Sequence, residues 1–382
     1  MLNLGKTLIK YLWIRFFTGN PYKIVRFEDL AQVPIGEEVD VPESYTYFIK
    51  KEPGDVSVFL KPINCLYGTP VYRHKNNQDR FKKTGIFKNP DRIVFSLSNG
   101  FVIGHTGLIY DGIHRAFINE STKDWNTNLS LSPYTRLLNF PGLATLDGIT
   151  ISLLAPGAEL GFYHFLFESL SKMHLFSDVM DVANHILING PEASWKQKWL
   201  VRAGVDLKRV IWIDSHAHYK CEQLIFTNKL VNDQMINQWC VKGLRQLFCV
   251  ENIVTDPLAS RSIWITRHGS GSREIIWEDR FLRQFPDIDR IDLSILTAEE
   301  TIKTMQEASV VIAPHGAGLS NIYLCRPDTE VIELYPDNYP FQPCYDRLSS
   351  TCKLKHRIMY LDFQSGGAGY EKLVELIETF HV

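Results

Sequence analysis

Two patterns of apolar and polar positions divide the chain. From about Arg26 to Thr150, short apolar runs at Tyr45 to Ile49, Val56 to Leu60, Ile93 to Leu97, Phe101 to Ile103 and Gly107 to Tyr110 are separated by Gly, Pro and Asn clusters. Runs of this length, bounded by turn residues, read as strands, and Ser98-Asn99-Gly100 reads as a hairpin turn between two of them. After Gly148 the pattern changes. Apolar spacing predicts a helix from Tyr163 to Phe176, a strand from His185 to Ile188, a helix from Ala193 to Ala203, and strands at Val210 to Ile213 and Leu224 to Thr227. A polar helix from Asn232 to Phe248 bridges to a second alternating series, which opens with the strand Ser262 to Thr266 and closes with a helix from Tyr370 to Phe380.

Alternation of strand and helix implies parallel sheets with helices on both faces. The expected fold is therefore α/β, with two doubly wound, Rossmann-like halves facing a cleft and a β-rich N-terminal region. The expected boundaries are a short amphipathic leader over 1–20, the β-rich region over 21–150, an N-terminal half over 151–235 and a C-terminal half over 236–382. No internal repeat with a period of 20 to 50 residues is present, which excludes solenoids and propellers.

One stretch of the second series is chemically suggestive. Ser309 to Pro314 is a short β-branched run that fits a buried parallel strand. His315-Gly316-Ala317-Gly318-Leu319 follows, then Ser320-Asn321, a short helix at Ile322 to Leu324 and a second buried strand from Val331 to Leu334. A glycine turn that opens a helix beyond a strand offers bare N–H groups to phosphate. The spacing is neither G-x-G-x-x-G nor that of a phosphate-binding P-loop. The turn alone is equally compatible with a ligand-free αβ connection, and His315 with a structural role.

Composition narrows the field. The 382 residues are 45% hydrophobic and 22% charged, sufficient for two cores, and the net charge of −2 gives no general attraction to nucleic acid. Seven cysteines form no C-x-x-C pair and are odd in number, which argues for a reducing, cytoplasmic setting and against a disulfide framework or a zinc site. Residues 2–18 are apolar but interrupted by Lys6, Lys10 and Arg15, too broken for a transmembrane span. They fit either a helix packed on the body or a basic amphipathic segment lying on the inner face of a membrane. Arg73 to Lys83 is basic and polar and reads as an exposed loop.

Two more constellations carry candidate chemistry. In Gly161-Phe162-Tyr163-His164-Phe165-Leu166-Phe167-Glu168, a helix would set His164 and Glu168 on one face, four residues apart, as an acid/base pair or as an ordinary helix-stabilising contact. In Thr266-Arg267-His268-Gly269-Ser270-Gly271-Ser272-Arg273, a strand end leads into a loop with two arginines, followed by Glu278. Guanidinium forks match phosphate bidentately, so the pair suits a diphosphate, with solvated surface arginines as the alternative.

Taken together, the three stretches resemble glycosyltransferase family 61, whose bacterial members include capsular polysaccharide biosynthesis proteins. The matching positions are Tyr163, His164, Phe165, Leu166 and Glu168; Arg267, Ser272, Arg273 and Glu278; and His315 to Leu319, Asn321, Glu333 and Pro336. Trp277 stands where the family usually has Asn, and Phe165 where Trp is common. The resemblance implies a GT-B-like fold and inverting transfer of a sugar from a nucleotide-sugar donor, such as a UDP-sugar, to a glycan or lipid-linked glycan acceptor. It implies no bound metal and no further cofactor. His164 or Glu168 would take the acceptor proton. Arg267, Ser272, Arg273, His315, Gly316, Ala317, Gly318, Leu319, Asn321 and Glu333 would line the donor site. A non-catalytic nucleotide-sugar or glycan-binding protein is the rival reading. A kinase or phosphatase lacks the P-loop lysine and an acidic metal cluster.

Overall fold

A computed structural model describes residues 23–25, 49–54, 56–59, 63–73, 85–112, 116–118, 143–231, 236–253, 256 and 260–380. The amphipathic leader at 2–18, most of the expected strand at 45–49 and the basic segment from 74 to 83 lie outside these residues. No helix among the described residues is long and apolar enough to cross a membrane. The chain forms two compact units, one of residues 1–54 and 90–230 and the other of residues 55–89 and 231–382. The β-rich stretch over 21–150 therefore contributes to both units rather than standing alone, and the C-terminal unit begins near 231 with an upstream contribution.

In the N-terminal unit, nine strands of the described residues form one mixed sheet. Its parallel part runs His218–Thr227, Leu143–Ser152, His185–Asn189, Val210–Ile213 in spatial order. From Leu143–Ser152 the chain winds outward through the next two strands, then returns to place His218–Thr227 on the other side of the first. The winding reverses between Leu143–Ser152 and His218–Thr227. Antiparallel strands extend the sheet beyond this point, beginning with Arg92–Ile103 against His218–Thr227. The sheet is thus not the all-parallel doubly wound one expected, because the β-rich segment joins it edge to edge.

Arg92–Ile103 is one twelve-residue strand. The hairpin expected at Ser98-Asn99-Gly100 is absent; Asn99 has a φ of 54° but Ser98 and Gly100 remain paired with Gln223 and Cys221. Pairing with His218–Thr227 along nearly the whole strand outweighs the local turn signal, and the true reversal is close by, at Gly104 to Gly107, where both glycines have positive φ. Phe95, Leu97, Leu154, Leu187, Ile213 and Leu224 are among the buried side chains of this unit's core.

The C-terminal unit carries a six-stranded, all-parallel sheet in the order Ile288–Ile291, Arg261–Ile265, Ala308–Pro314, Glu330–Pro336, Lys355–Leu361, Asn64–Tyr67. The edge strand Asn64–Tyr67 comes from the upstream segment. Ala308–Pro314 is buried at every position but Ser309, as its β-branched run demands. The preceding helix, Ala298–Glu307, starts with a capping box in which Thr297 and Glu300 satisfy each other's backbone N–H groups. Here too the winding reverses, between Arg261–Ile265 and Ala308–Pro314. In open α/β sheets, ligands gather beyond the carboxyl ends of strands at such a reversal.

Candidate functional site

The two switch points hold the residues singled out from sequence, one group in each unit. In the N-terminal unit the chain leaves Leu143–Ser152 through a buried loop and enters a helical segment that is not one regular helix. It runs as a single α-turn at Phe162–His164, a π-helical turn at Phe165–Ser169 and a 3₁₀ stretch at Leu170–Phe176. Wide π-turns inside helices recur at functional sites because they re-aim side chains. His164 Nδ1 lies 3.1 Å from Glu168 Oε1, with both side chains largely buried. Gly161 makes this geometry accessible, since a Cβ there would sit 2.9 Å from His164 Cδ2 and 2.8 Å from the Gly157 carbonyl oxygen.

Lys172, one further turn along, was not foreseen. It is 3% exposed, and its ammonium donates to the Leu154 carbonyl. Burial lowers its pKa to about 7, opposed by the Glu168 carboxylate and reinforced by Lys229. Leu154 follows the carboxyl end of Leu143–Ser152 and Lys229 that of His218–Thr227, so the Lys172 ammonium lies near the carboxyl ends of the two strands where the winding reverses. A buried ionisable group whose proton affinity is shifted by desolvation beside a charge partner is a candidate functional residue. The sequence signal was a Lys four residues beyond Glu168, on the same helical face.

Lys196 is a second buried lysine with a different job. Its ammonium donates to the carbonyls of Glu159, Asn189 and Pro191, and Asn189 in turn bonds both the N–H and the carbonyl of Ala155. These bonds fix the loop that delivers His164. Phe165, in the position where Trp is common in the family, is fully buried against Trp195 with ring centroids 5.3 Å apart.

In the C-terminal unit Arg267 follows the strand Arg261–Ile265, and its guanidinium donates to both the carbonyl and the hydroxyl of Ser272 at 3.1 Å. The intervening loop turns through Gly269 and Gly271, both at positive φ. It brings back Arg273, which donates to the Tyr339 hydroxyl at 3.1 Å and lies over the Tyr339 ring. Burial, then the Arg273 charge, lowers the Arg267 pKa from its ordinary value, although a guanidinium keeps its proton at any working pH. Among the described residues, neither arginine is within ion-pair distance of a carboxylate. Two adjacent guanidinium groups without a carboxylate partner among the described residues suit an anion.

The glycine turn lies against them. Gly316 is extended (φ 167°), so backbone conformation does not require glycine; space does, because a Cβ would overlap Arg267 Nη1. A 3₁₀ helix follows over Ala317–Leu324. Among the described residues the N–H groups of Ala317 and Gly318 make no backbone bond, as at the start of any helix, whereas the Leu319 N–H bonds the Gly316 carbonyl at 3.0 Å and the Leu319 side chain is fully buried. Leu319 was expected to line the donor site and instead anchors the turn in the core. Asn321 is also buried, and its amide braces the turn through the Gly318 carbonyl at 3.0 Å.

His315 is 5% exposed and stacks on Tyr335 with ring centroids 4.6 Å apart. Its Nδ1 lies 2.6 Å from Glu333 Oε1; Glu333 Oε2 lies 2.9 Å from His356 Nε2, and His356 Nδ1 lies 2.7 Å from the Ser349 hydroxyl. Glu333 is fully buried, so it reaches a ligand only through His315 rather than by the direct contact expected. Burial would push its carboxyl up, but the hydrogen bonds and charges of His315 and His356 outweigh that and hold it below the ordinary value. His356 and Ser349 escaped sequence reasoning because they come from a neighbouring strand and helix.

Glu278 serves structure: it accepts from Thr266 at 2.6 Å and from Arg290 at 2.7 Å, tying the loop base to the next strand. Trp277, in place of the usual Asn, packs in the core against Phe281 and Tyr370. Asp287-Ile288-Asp289 sits at the opposite, amino-terminal end of the sheet, where Asp289 pairs with Arg261 at 2.8 Å. A cleft of about 510 Å³ lined by Arg245, Gln306, Tyr323, Cys325 and Arg326 also opens at that end, away from Arg267 and His315.

No curated protein matches the chain. The family description Glycosyltransferase 61 matches residues 162–332, a span that begins just before His164 and Glu168, takes in Arg267, Arg273 and the His315 turn, and ends one residue short of Glu333. Over that span, a little under half of its length, the chain is similar to glycosyltransferase family 61.

Proposed function

We propose that the protein is an inverting glycosyltransferase of the GT-B type, which moves a sugar from a nucleotide-sugar donor such as a UDP-sugar to a glycan or lipid-linked glycan acceptor in the building of a cell-surface or capsular polysaccharide. The C-terminal unit takes the donor and the N-terminal unit supplies the base. One observation carries the reading: Arg267 and Arg273, neither with a carboxylate partner among the described residues, come from one loop, and Arg267 lies against Gly316, where a glycine turn opens a helix at the switch point of a parallel sheet.

The departing diphosphate needs its growing charge stabilised, and fixed guanidinium and N–H donors do this without reorganising at the moment of reaction. Arg267, Arg273, Ala317 and Gly318 fill the role that a divalent cation fills elsewhere, and no metal or other cofactor is required. At the acceptor, Glu168 Oε1, 3.1 Å from His164 Nδ1, orients the imidazole, whose other ring nitrogen takes the hydroxyl proton. His164 is then the base and Glu168 its positioning partner. The protein works in the cytoplasm, at the inner face of the membrane where lipid-linked acceptors reside, and residues 2–18 provide peripheral contact.

The test is a thermal-shift screen of nucleotide sugars, since a bound ligand raises the melting temperature by mass action. The stabilising donor is then used for turnover. His164→Ala is expected to bind that donor normally and lose about 10²- to 10⁴-fold in turnover, the usual contribution of a general base. Glu168→Gln is expected to fall between His164→Ala and wild type. Near-full turnover in His164→Ala removes it as the base, and no slow release of nucleoside diphosphate from any donor by the wild type favours a binding protein.

A further inference from the structure

Ser349, His356, Glu333 and His315 form a continuous hydrogen-bonded chain that runs from a helix, Cys344–Cys352, through two adjacent strands to the mouth of the sheet. With Glu333 ionised, both histidines donate to it, His315 through Nδ1 and His356 through Nε2. The carboxylate is therefore shared, and the single negative charge serves two imidazoles. His315 Nε2 makes no hydrogen bond among the described residues and is the ring nitrogen left for a ligand.

The charges facing His315 from each neighbouring element are few. Glu333 comes from its adjoining strand and His356 from the next. Tyr335, Tyr339 and Tyr345 surround the ring at centroid distances of 4.6, 5.3 and 5.4 Å. Burial pushes Tyr335 and Tyr345 well above the ordinary value, so they stay neutral. Arg267 touches Gly316, the next residue, and Arg273 grips Tyr339. In the empty site two guanidinium charges oppose a proton on His315. A diphosphate cancels that opposition and adds an acceptor.

We propose that this relay makes His315 take up a proton when a nucleoside diphosphate binds, so that a charged Nε2–H, backed by Glu333, donates to the phosphate alongside the two arginines. The inference rests on the donor reading above and deepens it: His315 is a proton-coupled contact to the leaving group, and Glu333 and His356 are positioning residues that act through it. Ser349 holds the far end by fixing the His356 ring.

The test is calorimetric titration of the full chain with UDP, GDP and dTDP at pH 8, where the free nucleotides are deprotonated, in two buffers of different ionisation enthalpy. The expected result is proton uptake on binding by the wild type. His315→Gln is expected to bind about tenfold more weakly with no uptake, and His356→Gln to show reduced uptake with binding retained. His356→Gln keeps the test open should His315→Gln fail to fold. Binding without proton uptake, or uptake undiminished in His315→Gln, overturns this inference and leaves the donor reading standing. No binding of any of the three nucleotides overturns the donor reading and this inference with it.

Discussion

At the scale of single residues, buried charge decides most of what the protein can do. Glu333 is held below the ordinary carboxylate value by two histidines despite complete burial. A group depressed on folding contributes stability that is fully present above its unfolded value and lost as the pH falls through its folded value. Wild type should therefore exceed Glu333→Gln in denaturant stability by about 1–3 kcal/mol at neutral pH, the cost of disturbing a buried charged hydrogen bond. The difference should shrink as the pH drops below about 4.3. A gap that persists unchanged at pH 3 contradicts the assignment. Lys172 has the opposite sign. Its ammonium is lowered to about 7 by burial, while in the unfolded chain it holds its proton to about 10.4. Between those values the unfolded state binds more protons, so stability rises with pH. Lys172→Met should flatten the rise, as read from urea midpoints across that window; a slope equal to wild type would show that Lys172 is not buried as a neutral amine.

At the scale of elements, the connections after strands matter more than the strands. Gly316 is the sharpest case, because its backbone is extended and only the Arg267 guanidinium forbids a side chain. Gly316→Ala should leave the melting temperature within a degree or two of wild type and weaken nucleoside diphosphate binding about tenfold, or about 1.4 kcal/mol. Equal affinity would mean that Arg267 is free to swing aside without loss. These elements also show what the sequence made legible. The β-turn-helix-β unit from Ala308 to Pro336 was readable because a β-branched run, two glycines and a second apolar run occur in order. The His164–Glu168 contact was readable because residues four apart share a helical face. The π-turn between them was not, since apolar spacing does not distinguish a π-turn from a regular helical turn. Nor was the partnership of Glu333 with His356, 23 residues away, which exists only because two parallel strands set Val331 beside His356.

At the scale of the whole molecule, the N-terminal sequence is shared between two sheets. Arg92–Ile103 looked like two strands of a separate β-rich region, yet it pairs with His218–Thr227 and makes the N-terminal sheet mixed. Asn64–Tyr67 pairs instead with Lys355–Leu361 and closes one edge of the C-terminal sheet. Period-two apolar runs announce strands but carry no address, so the unit each would join was not legible. Nor was the strand order that sets the two switch points, although the stretches that follow them, Tyr163 to Glu168 and His315 to Asn321, were singled out from sequence. The central claim is that the C-terminal switch point holds a diphosphate through Arg267 and Arg273. Calorimetric titration of wild type and the Arg267→Ala/Arg273→Ala double variant with the preferred nucleoside diphosphate tests it most directly. Each charged hydrogen bond contributes about 1.5–3 kcal/mol, so the variant should fold normally and bind at least about 100-fold more weakly; affinity equal to wild type would contradict the account.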